Sequence, residues 1–156
     1  MGKKPLIPVI LSTGFGSGFC PVAPGTAGAL LATLIWLGYS TILTPTACIV
    51  LTIVLTVLFT LLGIWSTNKM IPFWGEDPRR VVVDEMVGVW IPLIAAPVGN
   101  IWYALASFVL FRFFDIAKPL GIRQMERFPG GIGVMADDIL AGIYSLLIII
   151  CAQWIL

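Results

Sequence analysis

The chain has 156 residues, enough for one domain, of which 59% are hydrophobic and only 11% charged, where water-soluble domains carry about 25% charge. A mean hydropathy of +1.03 and a formal net charge of +1 predict an integral membrane protein and argue against nucleic-acid binding. Histidine is absent, which excludes a Ser-His-Asp triad, a His-ligated zinc and a phosphohistidine intermediate.

Lys3 and Lys4 precede only a short apolar run, residues 6–11, that leads into Ser, Gly and Pro, so no cleavable leader is expected. Cys20, Cys48 and Cys151 are scattered without CxxC spacing and read as inert apolar residues. Residues 6–28, LIPVILSTGFGSGFCPVAPGTAG, hold glycine and proline too densely for a regular helix and read as an ordered loop. Its glycines either let backbone N–H groups approach an anion or pack a re-entrant loop against helices, and Thr26 is placed to N-cap the next helix. A Walker loop would need GK[ST], and Phe19 takes the last glycine position of a dinucleotide fingerprint.

Residues 27–43 and 45–66 are almost uncharged apolar runs, read as long enough to cross a hydrocarbon core of about 30 Å. They predict a helical hairpin that turns at Leu43, Thr44, Pro45 and Thr46. Residues 68–80, NKMIPFWGEDPRR, read as an interfacial loop with Phe73 and Trp74 at headgroup depth and Glu76 and Asp77 as solvated turn residues. Residues 81–97 are short for a span and cross only if tilted or kinked at Pro92. After a turn at 98–100, residues 101–117 form another run, 118–133 a cytosolic segment and 134–156 the final span. The expected fold is all-α: one membrane-embedded domain over residues 1–156, a polytopic bundle of about five segments, one short or re-entrant, behind an N-terminal Gly/Pro-rich loop.

Lys3, Lys4, Lys69, Arg79, Arg80, Lys118, Arg123 and Arg127 all fall on one side of that topology, and the turns at 43–46 and 98–100 carry no cation. The positive-inside rule makes that side cytoplasmic. Five spans place the C-terminus outside, and a re-entrant 81–97 would change this. Asp84 and Glu85 then open one span from the cytoplasmic side, Asp115 ends another there, and Asp137 and Asp138 open the last. Glu76, Asp77 and Glu126 are left in loops.

Two like charges about 4 Å apart repel by roughly 4 kcal/mol at an effective dielectric near 20, and five converging carboxylates contain several such pairs. Their sum rivals a domain's net stability of about 5–15 kcal/mol. Arg112 shares a helix face with Asp115, and Lys118 lies one turn on, so these cations offset part of the charge. The remainder calls for protonation or a hard divalent cation, and carboxylates without His or thiolate suit Mg²⁺, with Mn²⁺ able to substitute. A metal beside Arg and Lys at headgroup depth is equipment for phosphate chemistry on a lipid. The plainer alternative is an Arg112–Asp115 pair that locks two helices, with the other acids capping helices near the interface.

Four blocks, GFGSGFCPVAPGTAGAL (14–30), VVDEMVGVW (82–90), FRFFDIAKPLGI (111–122) and GGIGVMADDILAG (130–142), resemble in order the A-type phosphatidylglycerophosphate phosphatases, membrane enzymes of bacterial phospholipid synthesis. The resemblance covers nearly the whole chain. It implies Mg²⁺-dependent hydrolysis of phosphatidylglycerophosphate to phosphatidylglycerol and inorganic phosphate, at the cytoplasmic face of the bacterial inner membrane. It carries over Thr26, Asp84, Glu85, Arg112, Asp115, Lys118, Asp137 and Asp138 as functional residues. Among them the five acids are expected to be catalytic, with Asp84, Glu85, Asp137 and Asp138 as metal ligands and Thr26, Arg112 and Lys118 holding phosphate. Asp115 is left to orient Arg112, bind metal or act as general base. An aspartyl-phosphate intermediate stays open, although the DxDx[TV] motif is missing. So do two other classes: a CDP-alcohol phosphatidyltransferase-like enzyme, whose DGxxAR signature is missing, and a small transporter or channel subunit, although the acids do not line a midplane path. The sequence does not fix an oligomeric state.

Overall fold

The computed structural model describes residues 2–76 and 78–156, so Asp77, expected in a solvated turn, lies outside the described residues. All regular elements among them are helices: α1 (Leu6–Ser12), a 3₁₀ turn (Ser17–Phe19), α2 (Pro24–Ser40), α3 (Pro45–Trp74), α4 (Val83–Leu93), α5 (Ile101–Ala117), α6 (Ile122–Met125) and α7 (Gly130–Ile155). Local chemistry sets several ends. Thr44 Oγ1 accepts from the Ala47 N–H at 3.4 Å and Pro45 takes the first position of α3. Asn100 Oδ1 accepts from the N–H groups of Trp102 and Tyr103 at 3.0 and 3.2 Å, which starts α5 at the expected residue.

Short and apolar, α4 is the axis of the bundle. Every residue of it except Glu85 is buried, and α2, α3, α5 and α7 pack around it. Trp90 Nε1 donates to the Ala32 carbonyl at 3.0 Å, tying α4 to α2, and Phe59 of α3 meets the Trp90 ring edge-on with centroids 5.3 Å apart. Against α7 the packing is closer still. A Cβ at Gly142 would lie 2.4 Å from the Gly88 carbonyl oxygen, and one at Gly88 would lie 2.9 Å from that of Asp138. Two helices approach this closely only where side chains are missing. Asp84 and Asp138 each precede one of these glycines by four residues, one helical turn. The contact that joins the glycines therefore also stacks the aspartates on facing surfaces.

The ends of the helices alternate between two faces. At one face the Gly99 N–H, in the turn after α4, donates to Ser40 Oγ at the end of α2 (3.3 Å), and Gln153 near the end of α7 donates to the Ala95 carbonyl. At the other face the starts of α2, α4 and α7 meet the end of α5.

Several boundaries differ from the sequence expectation. Residues 6–28 are not one loop: α1 forms because Pro8 sits in the first turn, where its missing N–H costs nothing. The chain then reverses through Gly14, Phe15 and Gly16, all at positive φ (53°, 57° and 95°). Lys4 lies over Trp74, the last residue of α3, whereas Phe15 reaches Phe59 with ring centroids 6.1 Å apart. Those α3 positions are about 22 Å apart along the helix axis, so the segment descends beside α3 and returns. Residues 68–74 continue α3 instead of forming an interfacial loop, since Pro72 so near the end removes only one hydrogen bond and Gly75 at φ 90° stops the helix. Asn68 turns out to cap α7 from the side, its Oδ1 accepting from the Gly131 N–H at 2.8 Å. Hence α7 begins at Gly130, and Asp137 and Asp138 lie inside the helix, not at its opening.

Among the described residues, α3 and α7 are long and apolar enough to cross a membrane. The 17-residue α2 and α5 extend about 25 Å and the 11-residue α4 about 16 Å, against a hydrocarbon core of about 30 Å. Among the described residues, two helices have full spanning length by themselves.

Candidate active site

The start of α4 is fixed by the Val82 N–H, which donates to the Ser12 carbonyl at 2.8 Å. Asp84 and Glu85 follow in the first turn, where free backbone N–H groups favour anions. Carboxylate oxygens of Asp84, Glu85 and Asp138 lie within 4.8 Å of one another, as do those of Asp115, Asp137 and Asp138. Asp138 belongs to both groups. All five acids line one cavity of about 1010 Å³, together with Arg112 and Lys118.

The charges there are only partly compensated. Arg112 Nη1 pairs with Asp115 Oδ2 one turn on. Lys118 ends α5 in a left-handed conformation (φ 48°), and its amine lies 2.7 Å from Asp137 Oδ2 and pairs with Glu126 as well. Burial disfavours the charge on Lys118, but the hydrogen bonds and charges of Asp137 and Glu126 outweigh it and hold the amine's pKa above the usual lysine range. It stays cationic at any ordinary pH. Asp84 Oδ1, Glu85 Oε2, Asp137 Oδ1 and Asp138 Oδ2 are buried with no hydrogen-bond partner, and so is Arg112 Nε. A buried oxygen without a donor costs about 1–3 kcal/mol, more when it is charged, so the arrangement suits a ligand that supplies positive charge to the carboxylates and an acceptor to Arg112.

Of the eight residues expected at the site, seven line the cavity and Thr26 does not. Nor does Thr26 cap α2, because that helix starts two residues earlier, at Pro24, behind Ala23 in a left-handed conformation. Gly25 takes the place instead: a Cβ there would lie 2.3 Å from Glu85 Oε1 and 3.3 Å from Arg112 Nη1. Gly25→Ala is expected to push the Glu85 carboxylate aside and lower phosphate release by about tenfold, roughly 1.4 kcal/mol of barrier, with helix content by circular dichroism unchanged. An unaltered rate would show that the α2 terminus does not constrain the site. Glu126, left in a loop by the sequence reading, proves to line the cavity and pair with Lys118, and Arg79, Arg80 and Arg127 line it too. No periodicity links these loop positions to the blocks, and the signal available beforehand was the topology that puts Arg79, Arg80 and Arg127 on the face where the acids converge.

The family model for phosphatidylglycerophosphatase A matches residues 10–153. A protein of Bacteroides thetaiotaomicron that carries the provisional name phosphatidylinositol-3-phosphatase is 58% identical over 158 residues, covering 100% of this chain and 99% of that protein. Phosphatidylglycerophosphatase A of Haemophilus influenzae is 40% identical over 147 residues, 93% of this chain and 88% of that protein. Its namesake in Escherichia coli is 37% identical over 138 residues, 87% and 77%. No solved structure matches the chain. With a family match over residues 10–153 and relatives 37–40% identical over most of its length, the chain belongs to the phosphatidylglycerophosphatase A family and is a phosphatase that hydrolyses a phosphomonoester.

Proposed function

We propose that the enzyme hydrolyses phosphatidylglycerophosphate to phosphatidylglycerol and inorganic phosphate, at the cytoplasmic face of a bacterial inner membrane, with Mg²⁺ held by Asp84, Glu85, Asp137 and Asp138. The observation that carries this reading is the set of buried, partnerless carboxylate oxygens from α4 and α7, in a cavity that also holds Arg112 and Lys118. An all-oxygen donor set fits a hard divalent cation. When bound, Mg²⁺ or Mn²⁺ would lower the pKa of a water and polarise a phosphoryl oxygen.

The chain's own groups supply the rest. Asp115 orients the Arg112 guanidinium, and the buried Nε–H of Arg112 remains a donor for a non-bridging phosphate oxygen. Lys118, braced between Asp137 and Glu126, adds a point charge beside it. Hydrolysis joins the oxygen of water to phosphorus and breaks the bond from phosphorus to the glycerol oxygen, which takes up a proton. Cations preset around the phosphate lower that barrier without reorganising.

Multi-pass placement is supported by the outer surface. Leu34, Val54, Leu61, Val109, Phe113 and Leu147 are exposed on α2, α3, α5 and α7, an apolar belt too continuous for contact with water. In this placement α4 and the turn after it complete five segments between the two faces. Lys4, Arg79, Arg80, Arg123 and Arg127 are exposed at the end that holds the cavity, the cytoplasmic end by the positive-inside rule.

The name of the Bacteroides relative favours a second reading, a phosphomonoester on an inositol lipid. Purified enzyme in detergent, offered phosphatidylglycerophosphate, phosphatidylinositol 3-phosphate and phosphatidic acid in parallel, is expected to release phosphate with the highest kcat/KM from the first. Excess EDTA should lower that rate at least about a hundredfold, and Mg²⁺ or Mn²⁺ should restore it. Full activity in EDTA would remove the metal from the reaction, and a preference for the inositol lipid would select the second reading.

A further inference from the structure

We propose that Arg79 and Arg80 form a second anion subsite, which receives the phosphodiester of the substrate's own lipid headgroup and so selects lipids that carry two phosphates. The proposal rests on the lipid-phosphatase reading above and names the part of the substrate that reading leaves unplaced. A cavity of about 1010 Å³ is at the top of the range of about 300–1,000 Å³ usual for small-molecule sites, far more than one phosphate fills. Arg79 and Arg80 form part of its wall with Phe19 and Pro78. The Arg80 guanidinium carbon lies 5.9 Å from the Phe19 ring centroid, a cation–π contact that holds the group at the cavity.

The same two arginines also line a smaller hollow of about 380 Å³, with Lys4, Phe73, Trp74 and Pro78. Lys4 Nζ sits 5.7 Å from the Trp74 ring centroid. Arg79 and Arg80 thus stand between the carboxylate-lined cavity and a basic, aromatic hollow. Among the described residues, the ion pairs at this end of the molecule engage only Arg112 and Lys118, which leaves Arg79, Arg80 and Arg127 as the cavity-lining cations for a second anion, and of these only Arg79 and Arg80 also line the hollow.

The chemistry of the substrate fits that division. Its terminal phosphomonoester is the reacting group, and one glycerol unit away lies a phosphodiester that bears the acyl chains. The proposal places the monoester at Arg112 and Lys118 and the diester at Arg79 and Arg80, so that the acyl chains leave on the side of the hollow. Beside the hollow, Leu6, Ile7 and Phe73 are exposed and apolar, and aromatic residues at the headgroup level are usual membrane anchors. Guanidinium forks match phosphate oxygens. Phosphatidic acid has a monoester and no diester, so it can occupy only the first subsite.

The test is R79Q/R80Q, which keeps side-chain bulk and removes charge, compared with R79K/R80K and wild type in phospholipid-free detergent. The kcat/KM ratio of phosphatidylglycerophosphate over phosphatidic acid is expected to fall at least about tenfold in the glutamine variant, mostly through KM, and to recover in part with lysine. An unchanged ratio, even with lower rates on both lipids, would overturn the subsite. Added phosphatidylglycerol is expected to compete with substrate. Activation of phosphatidic acid hydrolysis by it would assign the arginines to a neighbouring lipid and overturn the proposal. Retention of phosphatidylglycerol over diacylglycerol, read by native mass spectrometry, should also drop about tenfold in the glutamine variant. That reading needs no turnover: if wild type released no phosphate from phosphatidylglycerophosphate, the function would fail while retention still judged the subsite.

Discussion

Asp138→Asn is expected to lower phosphate release by at least about a thousandfold while the metal-free protein stays folded and melts no lower than wild type. Asp138 is the one acid common to both carboxylate groups, and it is almost fully buried, with Oδ2 lacking a partner. Neutralising it removes the most like-charge pairs at once, each roughly 4 kcal/mol at 4 Å and an effective dielectric near 20. Asparagine keeps the shape, so packing against α4 is not disturbed. Function and stability should therefore move in opposite directions, which distinguishes a ligand from a structural residue. A ligand that binds only the folded state stabilises it by about 2.7 kcal/mol at a hundred times its Kd. Mg²⁺ should raise the wild-type Tm accordingly and leave the variant unmoved. If Mg²⁺ stabilised both proteins equally, Asp138 would not be a ligand.

Gly142→Ala should harm the enzyme through the backbone. The added methyl would lie 2.4 Å from the Gly88 carbonyl oxygen, and a carbonyl in the middle of α4 cannot rotate away. The helices must part, at a cost of about 1–3 kcal/mol for overpacking, equivalent to roughly 2–4 °C in Tm per kcal/mol for a domain of this size. Activity should fall as well, because Asp84 and Asp138 sit one turn above this contact and separate with it. Gly38→Ala in α2 is the control: nothing lies within 4 Å of a Cβ there, and alanine is the better helix former. That variant should be unchanged or slightly more stable. A Gly142→Ala protein with wild-type Tm and rate would show that close packing of α4 on α7 does not build the cavity.

The helices were readable in the sequence wherever local chemistry decides their ends. Asn100 caps α5, and the run it opens closes at Lys118, so that element matches residue for residue. The hairpin between α2 and α3 was also readable, since Thr44 caps α3 and Pro45 opens it at the residue where the second apolar run begins. Where a neighbouring helix decides, the local reading failed. Asn68 looked like an exit from the apolar run because it is polar, but its partner is the start of α7. Gly131 and Gly133 read as the end of the cytosolic segment 118–133 because glycine is a poor helix former. Both lie in the first turn of α7, where only glycine fits, because a Cβ on either would strike a backbone carbonyl, that of Ile64 at 2.5 Å or that of Phe128 at 2.0 Å.

The same division runs through the site. The convergence of Asp84, Glu85, Asp115, Asp137 and Asp138 followed from topology, since alternating helices put their charged ends on one face. Which small residue lets α2 touch Glu85 did not follow: the resemblance points to Thr26, whereas Gly25 is the residue that faces Glu85 and Arg112. Glu126 was unreadable because its pairing with Lys118 depends on the fold of residues 118–130, where Leu120, Gly121 and Gly130 all have positive φ.

The most direct measurement is anomalous scattering from crystals of the wild-type enzyme grown with Mn²⁺. The expected result is anomalous density inside the cavity, at the carboxylate groups that share Asp138, with Asp84, Glu85, Asp137 and Asp138 among its ligands, that disappears in Asp138→Asn. A cavity free of anomalous density while Mn²⁺ supports full activity, or a peak confined to Glu76 or Glu126, would contradict the carboxylates' role as the metal site.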